Sequence, residues 1–226
     1  MKKSLLFIPF LVAVCGIIPV HAWSGKPFEG VITYKITYPD SKYTESQMAM
    51  FPKMLTVSVK GSKTKTEIST SMGNQVDITD HVEKTKIALL NMMGQKYAIK
   101  QNADEIDKEA EKEPKGTVEL SPETKTIAGY LCNKAVVTVE EDGAKTTFEV
   151  FYTSELGHRE ANFDKGMYKD IDGVMLEFTQ KTPQITMKFT ATSVEKKSIS
   201  TKEFEIPPDY TITTMEELKS KFGGME

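Results

Sequence analysis

The chain reads as a mainly β protein of the α+β kind: one antiparallel, strongly curved sheet, or an unclosed half-barrel, with one or two short helices. Three observations predict this. Apolar and polar residues alternate with period two along much of the chain. Short turn sequences separate the alternating runs, as expected for antiparallel neighbours rather than parallel strands joined by crossovers. Helix-start patterns are few, and each precedes only a brief apolar periodicity.

Along 31–38, Ile32, Tyr34, Ile36 and Tyr38 fall on one side and mostly polar residues on the other. That is a half-buried strand. Leu55, Val57 and Val59 alternate with Thr56, Ser58 and Lys60. The turn Lys60-Gly61-Ser62-Lys63 then feeds a threonine-rich run to Thr70, predicting a hairpin. Further strands are expected over 75–80, 86–91, 96–100, 117–120, 134–140, 145–153, 174–180 and 184–194. Turns are expected at Glu141-Asp142-Gly143-Ala144 and over 169–173, where Asp-Gly supplies a positive-φ position.

Thr44 and Gln47 have capping-box spacing, with Met48, Phe51 and Leu55 following at helical intervals. Pro52 limits that helix to two or three turns. Thr214 and Glu217 form a second box, with Leu218 and Phe222 on one face before Gly223-Gly224. Residues 102–116 carry nine charged side chains and one large apolar one, which predicts a solvated loop or a fraying helix.

The N-terminus sets an address. Lys2 and Lys3, an apolar run from Leu5 to Val20, and Val20-His21-Ala22 read as a secretory signal cut after Ala22. A signal anchor would want a charged stop-transfer flank. Lipidation at Cys15 would want a small residue where Val14 stands. The expectation is therefore a periplasmic protein: signal peptide 1–22, then a single β-rich domain over 23–226 with a charged loop at 102–116.

The formal net charge is −3, and −5 once Lys2 and Lys3 leave with the signal. Mild acidity argues against nucleic acid or an anionic membrane surface as partner. Arg159 is the one arginine, so bidentate phosphate recognition has a single candidate. Cys132 remains alone after signal removal, so no internal disulfide is expected, and its apolar setting suits a small buried hydrophobe.

No Gly-x-Ser-x-Gly, phosphate-cradling loop or His-Glu-x-x-His occurs. His81 and His158 have no ligand-like spacing, and the Asp170-Ile171-Asp172-Gly173 run fails as a calcium loop at its first and twelfth positions. No enzyme activity, metal or cofactor is expected. The methionines, clustered at Met48, Met50, Met54 and at Met92-Met93, suit core packing first, a compliant ligand-lining surface second and copper(I) third.

Thr126-Ile127-Ala128-Gly129-Tyr130-Leu131-Cys132-Asn133-Lys134-Ala135 resembles the I-x-G-Y-x-C-x-K signature of an exported Gram-negative family of unknown function. Phe148–Thr153, Gly173–Glu177, Phe204–Tyr210 and Phe28–Ile32 resemble its other elements. The resemblance implies a fold like the periplasmic lipoprotein carriers, a half-barrel around short helices. The near absence of arginine departs from those carriers.

Together these readings predict a non-enzymatic binding domain for an apolar ligand such as a lipid or acyl chain. Tyr34, Tyr38, Met48, Phe51 and Met54 are the expected lining. The alternative is a structural or protein-interaction module of the envelope with a filled core. A hydrolase with unrecognised carboxylates ranks third.

Overall fold

A computed structural model describes residues 27–222, apart from 40, 71–72, 93, 112–113, 142, 158 and 183. The signal segment 1–22 with Cys15, and likewise His158, lie outside the described residues.

Twelve strands form one sheet that does not close on itself. Strand β1 (Glu29–Thr37) starts a meander through β2 (Met54–Lys60), β3 (Lys63–Thr70), β4 (Gly73–Asp80), β5 (Thr85–Met92) and β6 (Gln95–Gln101). A second meander runs from β7 (Gly116–Ile127) through β8 (Tyr130–Glu141), β9 (Ala144–Thr153) and β10 (Val174–Lys181) to β11 (Thr186–Lys196). It returns on the other side of β1, so β1 pairs with both β2 and β11 and joins the two halves. Among the described residues every pairing is antiparallel save one: β12 (Thr211–Thr213) lies parallel to β6 at the far edge. The predicted mainly β, unclosed antiparallel sheet is what the chain builds.

The predicted helix after Thr44 is a single turn, α1 (Glu45–Met48), although both halves of its capping box form. Two or three turns were expected. The chain leaves the helix before Pro52, whose neighbourhood is disfavoured for it. The charged stretch 102–116 begins with a real helix, α2 (Ala103–Ala110), capped by Asn102 and Glu105, with Ile106 buried. Its remaining residues lead into β7. The last helix, α3 (Met215–Phe222), starts as predicted: the Thr214 hydroxyl accepts from the Glu217 amide at 3.1 Å, and the Glu217 carboxylate accepts from the Thr214 amide at 3.2 Å.

The alternation in β1 sets the inner face. Ile32, Tyr34 and Ile36 are buried in the main core cluster with Leu55, Leu176 and Phe189. Phe178 stacks on Phe189 at 4.8 Å and meets the Tyr34 and Tyr168 rings edge-on at 6.1 Å. Edge-on and offset contacts of this kind suit the ring quadrupole. On the opposite face of the first meander, Ile199 and Phe204 pack with Ile78, Leu89 and Ala98. Leu218 of α3 covers Tyr97 and Ile99.

The connection from β9 to β10 does not stay at the rim. It crosses the inner face through two 3₁₀ turns, Arg159–Asn162 and Gly166–Tyr168. Tyr168 and Ile171 join Ala135, Val137, Val150, Tyr152 and Met175 in a second core cluster. The buried Asn162 amide donates to the carbonyls of Ile171 (2.9 Å) and Gly173 (2.8 Å), closing the crossing on itself. At its far end His81, just after β4, meets the Phe163 ring edge-on at 5.6 Å. His81 Nδ1 lies 3.1 Å from the Glu160 carbonyl, which can only accept, so Nδ1 carries the proton and Nε2 accepts from the Thr64 hydroxyl at 2.9 Å. Burial pushes the His81 pKa down, which keeps it neutral. Asp164 pairs with Lys165 at 3.1 Å and Lys86 at 3.9 Å. Burial opposes its charge, yet the two lysines outweigh that and hold its carboxyl below the ordinary range.

Two local constraints make predictions. Ala128 and Gly129 form the two-residue turn between β7 and β8, with φ of 49° and 87°. A turn with both central residues at positive φ matches the twist of the flanking strands, but alanine is strained there. Ala128→Gly should stabilise the fold by about 1 kcal/mol in urea titration. At Gly116 an added Cβ would stand 2.5 Å from the Met167 carbonyl oxygen and 2.7 Å from Val137. Gly116→Ala should therefore destabilise by about 1–3 kcal/mol, with the loss read in the same titration.

Candidate binding site

The end of β1 and the single turn of α1 face each other across a shallow, mainly apolar hollow of about 330 Å³. Ile36, Tyr38, Met48 and Ala49 give it an apolar floor, while Lys35, Lys53 and Glu45 stand at its rim. Alternation along β1 puts Ile36 and Tyr38 on one face and Lys35 on the other, and the strand's last residues are where both meet the returning chain. The Ile36 amide donates to the Lys53 carbonyl at 2.9 Å, which holds that return against β1.

Aromatic and sulfur contacts fix the surroundings. The Tyr38 hydroxyl donates to the Pro52 carbonyl. The Tyr38 ring lies 5.5 Å from the Phe51 ring, and Tyr43 meets Phe51 edge-on at 5.1 Å. The Ser41 hydroxyl donates to the Met48 sulfur at 3.2 Å. Tyr43, Met50 and Met54 are exposed, with Met54 at 57%.

Of the five residues expected to line a pocket, Tyr38 and Met48 line the hollow, and Phe51 stands outside its lining with its ring against Tyr38. Tyr34 sits apart, 4% exposed. Its hydroxyl donates to the Met175 carbonyl at 3.0 Å, beside the irregularity where β10 shifts register against β9. Burial raises the Tyr34 pKa, so the phenol stays protonated and keeps that bond. Met54 pairs with Lys35, next in sequence to the inward Leu55, and so points away from Tyr34. Sequence reasoning missed Tyr43, Lys35 and Lys53. Lys35 was legible as the polar partner in the β1 alternation, whereas Lys53 depends on how the chain returns after Pro52.

Cys132 is fully buried in the main core cluster. Burial pushes its thiol up to about 11, so it stays protonated at neutral pH. In the native protein a thiol reagent should leave Cys132 unmodified for hours, and in denaturing urea it should react within minutes. Fast native labelling would contradict this placement.

Among curated proteins none matches the chain at a significant level. The family described as N-glycanase peptide, N-terminal domain, matches residues 36–219, well over half of the chain. That match runs from inside β1 to α3 and takes in both meanders. It carries no information on the I-x-G-Y-x-C-x-K signature. The chain belongs to the N-glycanase peptide N-terminal domain family.

Proposed function

We propose that this chain is an exported, non-catalytic binding domain of the cell envelope that holds a single acyl segment beside α1. The observation that carries this reading is the apolar hollow whose rim carries two lysines and one glutamate. Ile36, Tyr38, Met48 and Ala49 offer a surface for a hydrocarbon chain, and Lys35 and Lys53 stand where an anionic head would lie. At about 330 Å³ the hollow is near the lower end of ligand-sized cavities, which suits one acyl segment rather than a whole lipid. Membership of an N-terminal domain family favours a domain that serves a reaction rather than performing one. In this reading the signal is removed after Ala22 and the mature chain works in the periplasm. The half-barrel likeness to lipoprotein carriers then extends to the fold class and not to their inner cavity.

A second reading has its own support. The chain's own 154–173 crossing fills much of the inner face, as expected of a protein-interaction module with a packed core. The hollow beside α1 would then take an apolar side chain of a partner.

The test is purification of the mature protein from the periplasm of a Gram-negative host, followed by native and denaturing mass spectrometry and laurate titration. The expected results are an N-terminus at Trp23 and a releasable acyl-sized mass. Phe51→Asp should lower laurate affinity at least tenfold, on the order of the 1–3 kcal/mol expected for losing a buried apolar contact, with the near-ultraviolet spectrum unchanged. Unchanged laurate binding by that variant would remove the segment after α1 from the site.

A further inference from the structure

The chain around the mouth of the hollow beside α1 leaves apolar side chains in the open. Tyr43, Met50 and Met54 are all exposed, Met50 at 53% and Met54 at 57%, and all three fall within residues 43–54. A single exposed apolar side chain needs no explanation, but a group of them marks a contact surface. Each of the three is tied to the hollow. Met54 is the cross-strand neighbour of Lys35, so the two side chains share a face, and Lys35 stands at the rim. Met50 follows Ala49 of the lining, and its amide donates to the Gln47 carbonyl at 3.1 Å. Tyr43 sets its ring edge-on to Phe51, which in turn leans on Tyr38 of the lining.

Lysines stand among these apolar groups. Lys35 and Lys53 are at the rim, and Lys42 is exposed next to Tyr43. Lysines elsewhere, such as Lys60, Lys86, Lys125 and Lys134, are matched by carboxylates, whereas none of these three makes an ion pair among the described residues. Over 35–54 three lysines stand against Asp40 and Glu45, a formal charge of +1, in a mature chain of −5. The chain as a whole therefore repels an anionic surface while this patch attracts one. At physiological ionic strength charges further than about 8 Å from the contact are largely screened, so the patch decides. Its residue types also suit the boundary of a bilayer. Methionine side chains can enter the acyl region, a tyrosine ring sits at headgroup level with its hydroxyl wet, and lysine stems lie along apolar surface with the ammonium at the phosphates. A second copy of the chain fits less well, because a two-fold contact here would set the lysines against their own copies with Glu45 as the one carboxylate at the rim.

We propose that the 42–54 segment is a membrane-contact surface, which sets the mouth of the hollow on a leaflet rich in anionic phospholipid. The proposal rests on the acyl-site reading and adds where the acyl chain comes from: it passes between leaflet and hollow without crossing water. The test is flotation of the mature protein with vesicles of phosphatidylcholine alone and of an equal mixture with phosphatidylglycerol, at low and high salt. The protein should float with the mixed vesicles, and high salt should weaken the association. Met50→Glu should lower partition about tenfold, since it removes an inserted apolar side chain. Lys42→Gln should lower it about fivefold, the contribution of one lysine near an anionic surface. Lys108→Gln, which removes the same charge from the exposed face of α2, should change nothing. Met50 and Lys42 lie outside the lining, so both variants should bind laurate in vesicle-free solution as the parent chain does. Laurate binding without flotation on either vesicle would overturn this proposal and leave the acyl site standing. Flotation that Met50→Glu and Lys42→Gln do not weaken would overturn it too, as would concentration-dependent dimerisation abolished by Met50→Glu. Failure of the acyl reading shows separately, as absent laurate binding in vesicle-free solution.

Discussion

The interior depends on the crossing between β9 and β10, and that crossing depends on one side chain. A buried segment without regular structure must satisfy its own main-chain groups or lose the cost of each unpaired one. Asn162 meets this for two carbonyls at once, those of Ile171 and Gly173. With that closure in place, Tyr168 and Ile171 lie against β8, β9 and β10, and Phe163 and Asp164 reach the His81 and Lys86 side chains of the first meander. The two halves are thus joined twice, by the shared strand β1 and by this segment over the inner face.

The same packing divides the molecule's surfaces by chemistry. The inner face is spent on aromatic and aliphatic contacts, with Tyr34, Phe178, Phe189 and Tyr168 forming one continuous ring cluster. Open hollows are left to its margins. Beside α1 an apolar hollow has lysines at its rim, and where the β9–β10 ladder stops, at Glu177 opposite Phe151, a polar hollow of about 340 Å³ has Lys188 paired with Glu177 in its wall. One sheet therefore presents two hollows of similar size and opposite character, each placed where regular pairing ends.

Much of the fold was legible in the residues, because strand alternation is a local signal. Ile32, Tyr34 and Ile36 are buried as their spacing demanded, and the capping boxes at Thr44 and Thr214 form. Three things were not legible. The pairing of β1 with β11 joins residues more than 150 apart, and no local pattern encodes it. The three-residue β12 is too short for alternation to show. The 154–173 crossing hides its burial, since Leu156, Asn162, Tyr168 and Ile171 follow neither the helical nor the strand period. Missing that crossing is also why Tyr34 read as a ligand contact: its face is covered by the chain itself. The register irregularity of β10 against β9 beside Leu176 leaves no mark in composition.

Native-state hydrogen exchange tests the filled interior most directly. The amides of Lys165, Tyr168 and Ile171 bond to carbonyls within the crossing at 2.9–3.0 Å. They should exchange as slowly as those of Val150 and Leu176 in the core strands, opening only with global unfolding. Exchange within seconds at these three positions, while Val150 and Leu176 stay protected, would mean that the crossing lifts away and the inner face is a cavity.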